Sequence, residues 1–66
     1  MTQRERIVAF ILEFTTRRGF PPSVRDIMEG VGYRSTSPVM HHLAQLEAEG
    51  RIVRDPAVAR SVRVVA

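Results

Sequence analysis

The chain holds few residues that could transform a substrate and many that could hold an anion. Its two histidines, His41 and His42, are sequence neighbours. On a helix they point about 100° apart and cannot share one metal ion. Neither has a His, Cys, Asp or Glu three or four residues away. The serines stand where helices would begin, and there a hydroxyl ordinarily bonds to backbone. With no lysine there is no Ser–Lys dyad, with no cysteine there is no thiolate ligand, and the glycines form no phosphate-binding loop. The expectation is no enzyme, no metal, no cofactor and no small-molecule ligand. By contrast, all ten basic residues are arginines, and the net charge is +3. Guanidinium groups grip phosphate and guanine edges with paired hydrogen bonds and stay charged at any working pH. Arginines that merely solvate a surface would give the same composition, so the charge gains meaning only if they gather on one face.

The elements that must position these groups can be read from periodicity and caps. Thr2 and Glu5 have capping-box spacing, which starts a helix expected to run to about Arg18. Ile7, Phe10, Ile11 and Phe14 recur along one face, widened by Val8 and Leu12. Arg17 and Arg18 suit the negative end of the helix, and Gly19 suits its cap. Phe20-Pro21-Pro22 is a rigid connector, because each proline forces its predecessor into extended geometry. Ser23 with Asp26 caps a second helix, whose Ile27 and Val31 face inward and which Gly32 ends. Gly30 within so short a helix costs about 1 kcal/mol relative to Ala, which marks a close approach to another helix. Tyr33-Arg34 forms a turn. A third helix is expected over about 37–49, with Ser37 as N-cap and Pro38 at N1, or with Ser35 or Thr36 as the cap, and with Gly50 closing it. Val39, Leu43 and Leu46 are its buried edge. After Gly50, Arg51–Arg54 and Ser61–Val65 are β-branched and partly alternating, so they predict two strands around a loop at 55–59. The fold expected for residues 1–66 is one domain, mostly α with a small β part. It is a winged helix-turn-helix of three helices and a two-stranded antiparallel hairpin.

In that arrangement the second and third helices predict a reader of DNA. Side chains at a helix start reach base edges in the major groove, while its backbone N–H groups face phosphate. Ser35, Ser37, Met40 and His41 are the candidates for base contact, with Thr36, Pro38, Ala44 and Gln45 as further contacts to bases or phosphate. Met40 could meet a thymine methyl or fill a gap in the core. His42, beside Leu43 and Leu46, reads as a half-buried structural histidine. Arg25 is a cation in the first turn of a helix, where the helix dipole disfavours one unless an anion is near. Arg25, Arg34 and Arg60 are expected to meet phosphate, and Arg54 with Arg60 flanks the hairpin tip, where arginines can reach the backbone or a narrow minor groove. Arg51 and Arg63 lie on the strands and could equally be solvated. No apolar run approaches the roughly 20 residues that span a bilayer, and no signal-peptide pattern opens the chain, so a cytoplasmic protein is expected.

The order Phe20-Pro-Pro-Ser-Val-Arg-Asp-Ile27, Val31-Gly-Tyr33, Ser35-Thr-Ser37, Val39, His42-Leu43, Leu46-Glu47, Gly50, Ile52, Arg54-Asp-Pro56 and Arg60 resembles the N-terminal domain of LexA repressors. The likeness is to the version of Gram-positive and actinobacterial lineages, and it covers essentially the whole chain. It implies a winged helix that binds a palindromic double-stranded DNA operator as a homodimer, weakly associated or monomeric when free, and represses DNA-damage-response genes. By position it puts base reading on Ser35, Ser37, Met40 and His41. Met40 and His41 replace the acidic pair of enterobacterial members, so the operator sequence of those members does not transfer. LexA proteins continue into a self-cleaving Ser–Lys peptidase domain, and this sequence ends at Ala66. The expectation is a fragment or a short stand-alone relative of phage or plasmid type. The alternatives to a repressor module are a winged-helix protein-interaction module, using the α-helical apolar stripe or the hairpin edge, and a decoy that modulates a full-length repressor.

Overall fold

The structure is a computed structural model, and it describes residues 2–65. Three helices, α1 (Gln3–Arg18), α2 (Val24–Val31) and α3 (Ser37–Ala48), precede two short strands, β1 (Ile52–Val53) and β2 (Arg63–Val64). The strands pair antiparallel in one two-stranded sheet, Ile52 opposite Val64 and Val53 opposite Arg63. Three helices with a terminal hairpin form the winged helix-turn-helix architecture expected above.

The first two helices start where the sequence places a cap. Thr2 Oγ1 accepts the Glu5 N–H at 3.2 Å. The Glu5 carboxylate, expected to reach back and complete the box, instead takes both prongs of Arg51, Nη1 donating to Oε1 at 2.7 Å and Nη2 to Oε2 at 3.3 Å. A two-pronged charge-assisted pair outcompetes a bond to a single neutral amide. At α2 the reciprocal box is complete: Asp26 N–H donates to Ser23 Oγ at 3.1 Å, and Ser23 N–H donates to Asp26 Oδ2 at 3.0 Å. For α3 the cap position falls on Thr36, the second of the alternatives, and Ser37 is the first helical residue. Gly32 ends α2 with φ 94°, a left-handed conformation that a side chain would strain. The chain then reverses into α3 across residues 32–36.

The core draws on the three helices and the hairpin: Ile7, Val8 and Ile11 from α1, Ile27 and Val31 from α2, Val39, Leu43 and Leu46 from α3, and Ile52 and Val62 from the hairpin. Leu12, expected to widen the stripe of α1, is 51% exposed. It sits beside Arg63 and Val64, where so short a sheet does not extend far enough to cover it. Phe10 and Phe14 are half-buried, with ring centroids 5.8 Å apart. The paired strands are shorter than the expected 51–54 and 61–65, although Val65 N–H still donates across to Arg51 O at 2.9 Å. Arg51 N–H donates to Leu46 O at 2.9 Å as part of the α3 cap. Asp55 N–H donates to the Ser61 hydroxyl at 2.9 Å, which diverts the chain before a longer ladder can form.

Gly30 explains the packing of α2 on α1. A methyl group built there would overlap the Phe10 ring. Helix propensity favours Ala over Gly by about 1 kcal/mol, while overpacking costs about 1–3 kcal/mol, so the clash decides the sign. Gly30→Ala is expected to lower the chemical-denaturation midpoint, whereas in a Phe10→Ala background the same substitution raises it. A second prediction concerns acid. Hydrogen bonding and charge attraction from Arg51 hold the Glu5 carboxyl below its ordinary value of 4.5, against a smaller opposing effect of burial. A lowered folded value means that the pair stabilises above the ordinary glutamate range and is lost as pH falls through the lowered value. Urea unfolding should therefore show Glu5→Gln less stable than the native protein at about pH 7, with the gap closing as pH falls below the ordinary glutamate range.

Candidate nucleic-acid interface

Helix α3 has two distinct sides. Val39, Leu43 and Leu46 show no solvent exposure, and they lock one side into the core. The residues at the complementary spacing, Ser37, Met40, His41, Ala44 and Gln45, are all exposed, as are Ser35 and Thr36 ahead of the helix. Pro38 is half-buried at the edge. Met40, at 39% exposure, faces outward rather than filling the core. The structure thus gathers seven of the eight residues expected to touch bases or nearby phosphate onto one open surface. His42 lies between the two sides, half-buried against Tyr33, ring centroids 6.2 Å apart. No side chain caps the first turn of α3, which leaves the positive end of that helix open to an anion.

Three segments border this surface. Val24 at the start of α2, Met40 in the first turns of α3, and Arg54, Asp55, Pro56, Val58, Ala59, Ser61 and Val62 of the hairpin line one cleft of about 210 Å³. The start of α2 and the wing therefore flank the exposed side of α3. The wing itself, residues 54–62, is held in shape from within. Asp55 Oδ1 accepts the Ala57 N–H at 2.9 Å, Val58 N–H donates to Asp55 O at 3.0 Å, and the Ser61 hydroxyl lies 2.9 Å from the carbonyls of both Asp55 and Val58.

The arginines sort by what they touch. Arg4 pairs with Glu49 at 2.9 Å, Arg17 with Glu13 at 3.6 Å and Arg51 with Glu5, so these three serve the scaffold. Arg18 lies over the Phe14 ring at 5.2 Å, and Arg6 donates to Val31 O at 3.2 Å. Arg54, with its side chain 17% exposed, runs from the wing to α3, where Nη1 donates to Met40 Sδ at 3.5 Å and Nε lies 3.8 Å from Glu47. Arg60 donates from Nη1 to Asp26 Oδ2 at 2.6 Å and covers the Phe20 ring at 5.1 Å. The Ser23 N–H is the main cause that holds Asp26 below its ordinary 3.8; burial opposes it, and Arg60 adds to the lowering. Arg25, Arg34 and Arg63 are exposed and have no ion pair, hydrogen bond or aromatic partner among the described residues. Arg25 and Arg34 belong to the helix-turn-helix, whereas Arg63 lies beside Leu12 and Thr15 of α1.

Of the arginines expected to meet phosphate, Arg25 and Arg34 have no partner among the described residues, whereas Arg60, like Arg54, has partners that the sequence did not foretell. For Arg60 the missing signal was Asp26, read as a cap alone although its Oδ2 serves two donors. No cluster of three His, Cys, Asp or Glu residues able to hold a metal occurs among the described residues, and none of their helices is long and apolar enough to cross a membrane.

The profile of the LexA DNA binding domain matches residues 1–61. The chain belongs to that family. It is 41% identical over 64 residues to the LexA repressor of Carboxydothermus hydrogenoformans, covering 97% of this chain and 31% of that protein. It is 46% identical over 63 residues to the LexA repressor of Shouchella clausii, covering 96% of this chain and 30% of that protein. With the LexA repressor of Alkaliphilus oremlandii the identity is 55% over 49 residues, 74% of this chain and 24% of that protein. The chain spans about a third of the length of the first two of these relatives. A LexA-type DNA-binding domain is the coarse assignment that follows, and the exposed side of α3 is its candidate reading surface.

Proposed function

We propose that this domain binds double-stranded DNA sequence-specifically as the operator-reading part of a LexA-type transcriptional repressor of the DNA-damage response. The observation that supports this best is the two-sidedness of α3, an apolar side sealed in the core and a polar side left open between the start of α2 and the wing. In this reading α3 enters the major groove. Ser35, Ser37, Met40 and His41 meet base edges, with Thr36, Pro38, Ala44 and Gln45 beside them. Hydroxyl and imidazole groups bond to base edges, and the Met40 thioether offers an apolar contact to a thymine methyl. Arg25 and Arg34, without partners of their own, take phosphate on the helix-turn-helix side. The wing lies along the backbone with Arg54 and Arg60 at its base. Two copies occupy a palindromic site through the two-fold symmetry of the DNA, which compensates for the small surface of one copy. Such a protein works in the cytoplasm, on the nucleoid.

Selection of bound sites from a pool of randomised duplexes tests the reading: one inverted-repeat motif should emerge, and a pool that yields no preferred sequence overturns it. Two substitution experiments refine it. The double variant Ser37→Ala, His41→Ala should change which sequence is selected while the protein melts as before, since both side chains are exposed. Arg25→Ala should weaken binding to every duplex alike and flatten the slope of log affinity against log salt by about 0.9, the effect of one phosphate contact. A silent Arg25→Ala at moderate salt would mean that the backbone runs elsewhere.

A further inference from the structure

We propose that Arg60 is a positioning residue for DNA recognition: it latches the wing onto the start of α2 through Asp26 and the Phe20 ring, and leaves phosphate to the arginines that have no partner. This deepens the DNA-binding reading above and rests on it. The hairpin ladder ends at Val53 and Arg63, and Val62 next to it is anchored in the core, so nothing in the sheet orients residues 54–61. Their own hydrogen bonds fix the shape of the loop but not its direction relative to the helices. Among the described residues, the polar ties from the wing to a helix are those of Arg54 to α3 and Arg60 to α2.

The Arg60 tie is the shorter and the better supported of the two. Asp26 is held as an anion in place by the Ser23 N–H, and it stands in the first turn of α2, where the helix dipole favours negative charge. Arg60 meets this fixed carboxylate at 2.6 Å on one side and the face of Phe20 on the other. A cation over an aromatic ring gains a further attraction, so the guanidinium is seated in two ways. Phe20, 42% exposed, packs edge-on against the Phe14 ring at 5.8 Å and also carries the Arg60 guanidinium. A phosphate approaching Arg60 would meet a guanidinium already partly neutralised by Asp26 and would be repelled by that carboxylate. Binding with a pre-set wing loses less loop freedom than binding with a mobile one, and that difference appears as affinity.

The test uses the whole chain, a random-sequence duplex as probe, and the variants Arg60→Gln, Asp26→Asn and both together. Asn at 26 keeps an oxygen for the Ser23 N–H, so α2 remains capped, which its backbone amide shifts verify. Each single variant should weaken duplex binding about two- to fivefold, the scale of one partly exposed ion pair. The double variant should be no weaker than either, and the salt slope should equal that of the native chain. Backbone ¹⁵N relaxation of the free protein should show residues 55–60 gaining mobility in both single variants, and Arg60→Lys should restore part of the order. The latch is overturned if Arg60→Gln lowers the salt slope by about 0.9 while Asp26→Asn, which removes a negative charge, binds as well as the native chain or better. It is also overturned if the wing stays as ordered in Asp26→Asn as before. A native chain with no salt-dependent affinity for duplex would instead sink the DNA-binding reading, a failure visible before any variant is compared.

Discussion

Val39, Leu43 and Leu46, each without solvent exposure, fix the rotation of α3 about its own axis, and the rest of the molecule depends on that rotation. They are spaced so that the side of the helix they occupy packs against α1, α2 and β1 together. Because the helical period is 3.6 residues, burying these positions leaves Ser37, Met40, His41, Ala44 and Gln45 on the outside. A helix held this way cannot roll without exposing three aliphatic side chains, each of which gains about 1.5–3 kcal/mol on full burial. The exposed side of α3 is therefore a consequence of the core.

Around that surface, the arginines are distinguished less by position in sequence than by what already occupies them. A chain with no lysine must draw its structural ion pairs and its free cations from one residue type. Carboxylates do the sorting. Glu5, Glu49 and Glu13 take Arg51, Arg4 and Arg17, well away from α3's open side, while Asp26 and Glu47 take the two arginines at the base of the wing. What remains unpaired on the helix-turn-helix is Arg25 and Arg34. Surface ion pairs contribute little to stability on their own, yet each one sets where a guanidinium points and which anion it can accept.

The helices and their ends were legible from sequence because caps and periodicity are local. Ser23 with Asp26, Gly32 and the spacing of Val39, Leu43 and Leu46 each determine their structure within a turn or two. Gly30 was legible too, as a helix interior that gives up stability for a close approach, and the Phe10 ring supplies the neighbour. What escaped was long-range and chemically ambiguous. Glu5 has the correct spacing for a capping box, but Arg51, far along the chain, competes for it. Leu12 fits the apolar stripe, but its burial depends on how far a distant hairpin extends. Arg60 carries the same side chain as Arg25, and only the fold brings Asp26 and Phe20 to one of them. The open surface of α3 could be read in advance, whereas the partners of the wing could not.

The wing shows why those partners matter. A sheet with two paired positions has almost no stiffness against twisting, so a hairpin this short cannot aim its own loop. Its direction must come from side chains that cross to other elements. Ser61 closes the loop on itself, Arg54 ties one end to Met40 and Glu47 on α3, and Arg60 ties the other to the start of α2. The two polar crossing ties end on the elements that frame the exposed side of α3, and one of them ends on Met40 itself. The packing of α2 on α1, permitted by Gly30, sets where Asp26 stands, and Asp26 in turn sets where the wing can lie. A small change between the first two helices would thus be carried, through one carboxylate and one guanidinium, to the far edge of the exposed side of α3.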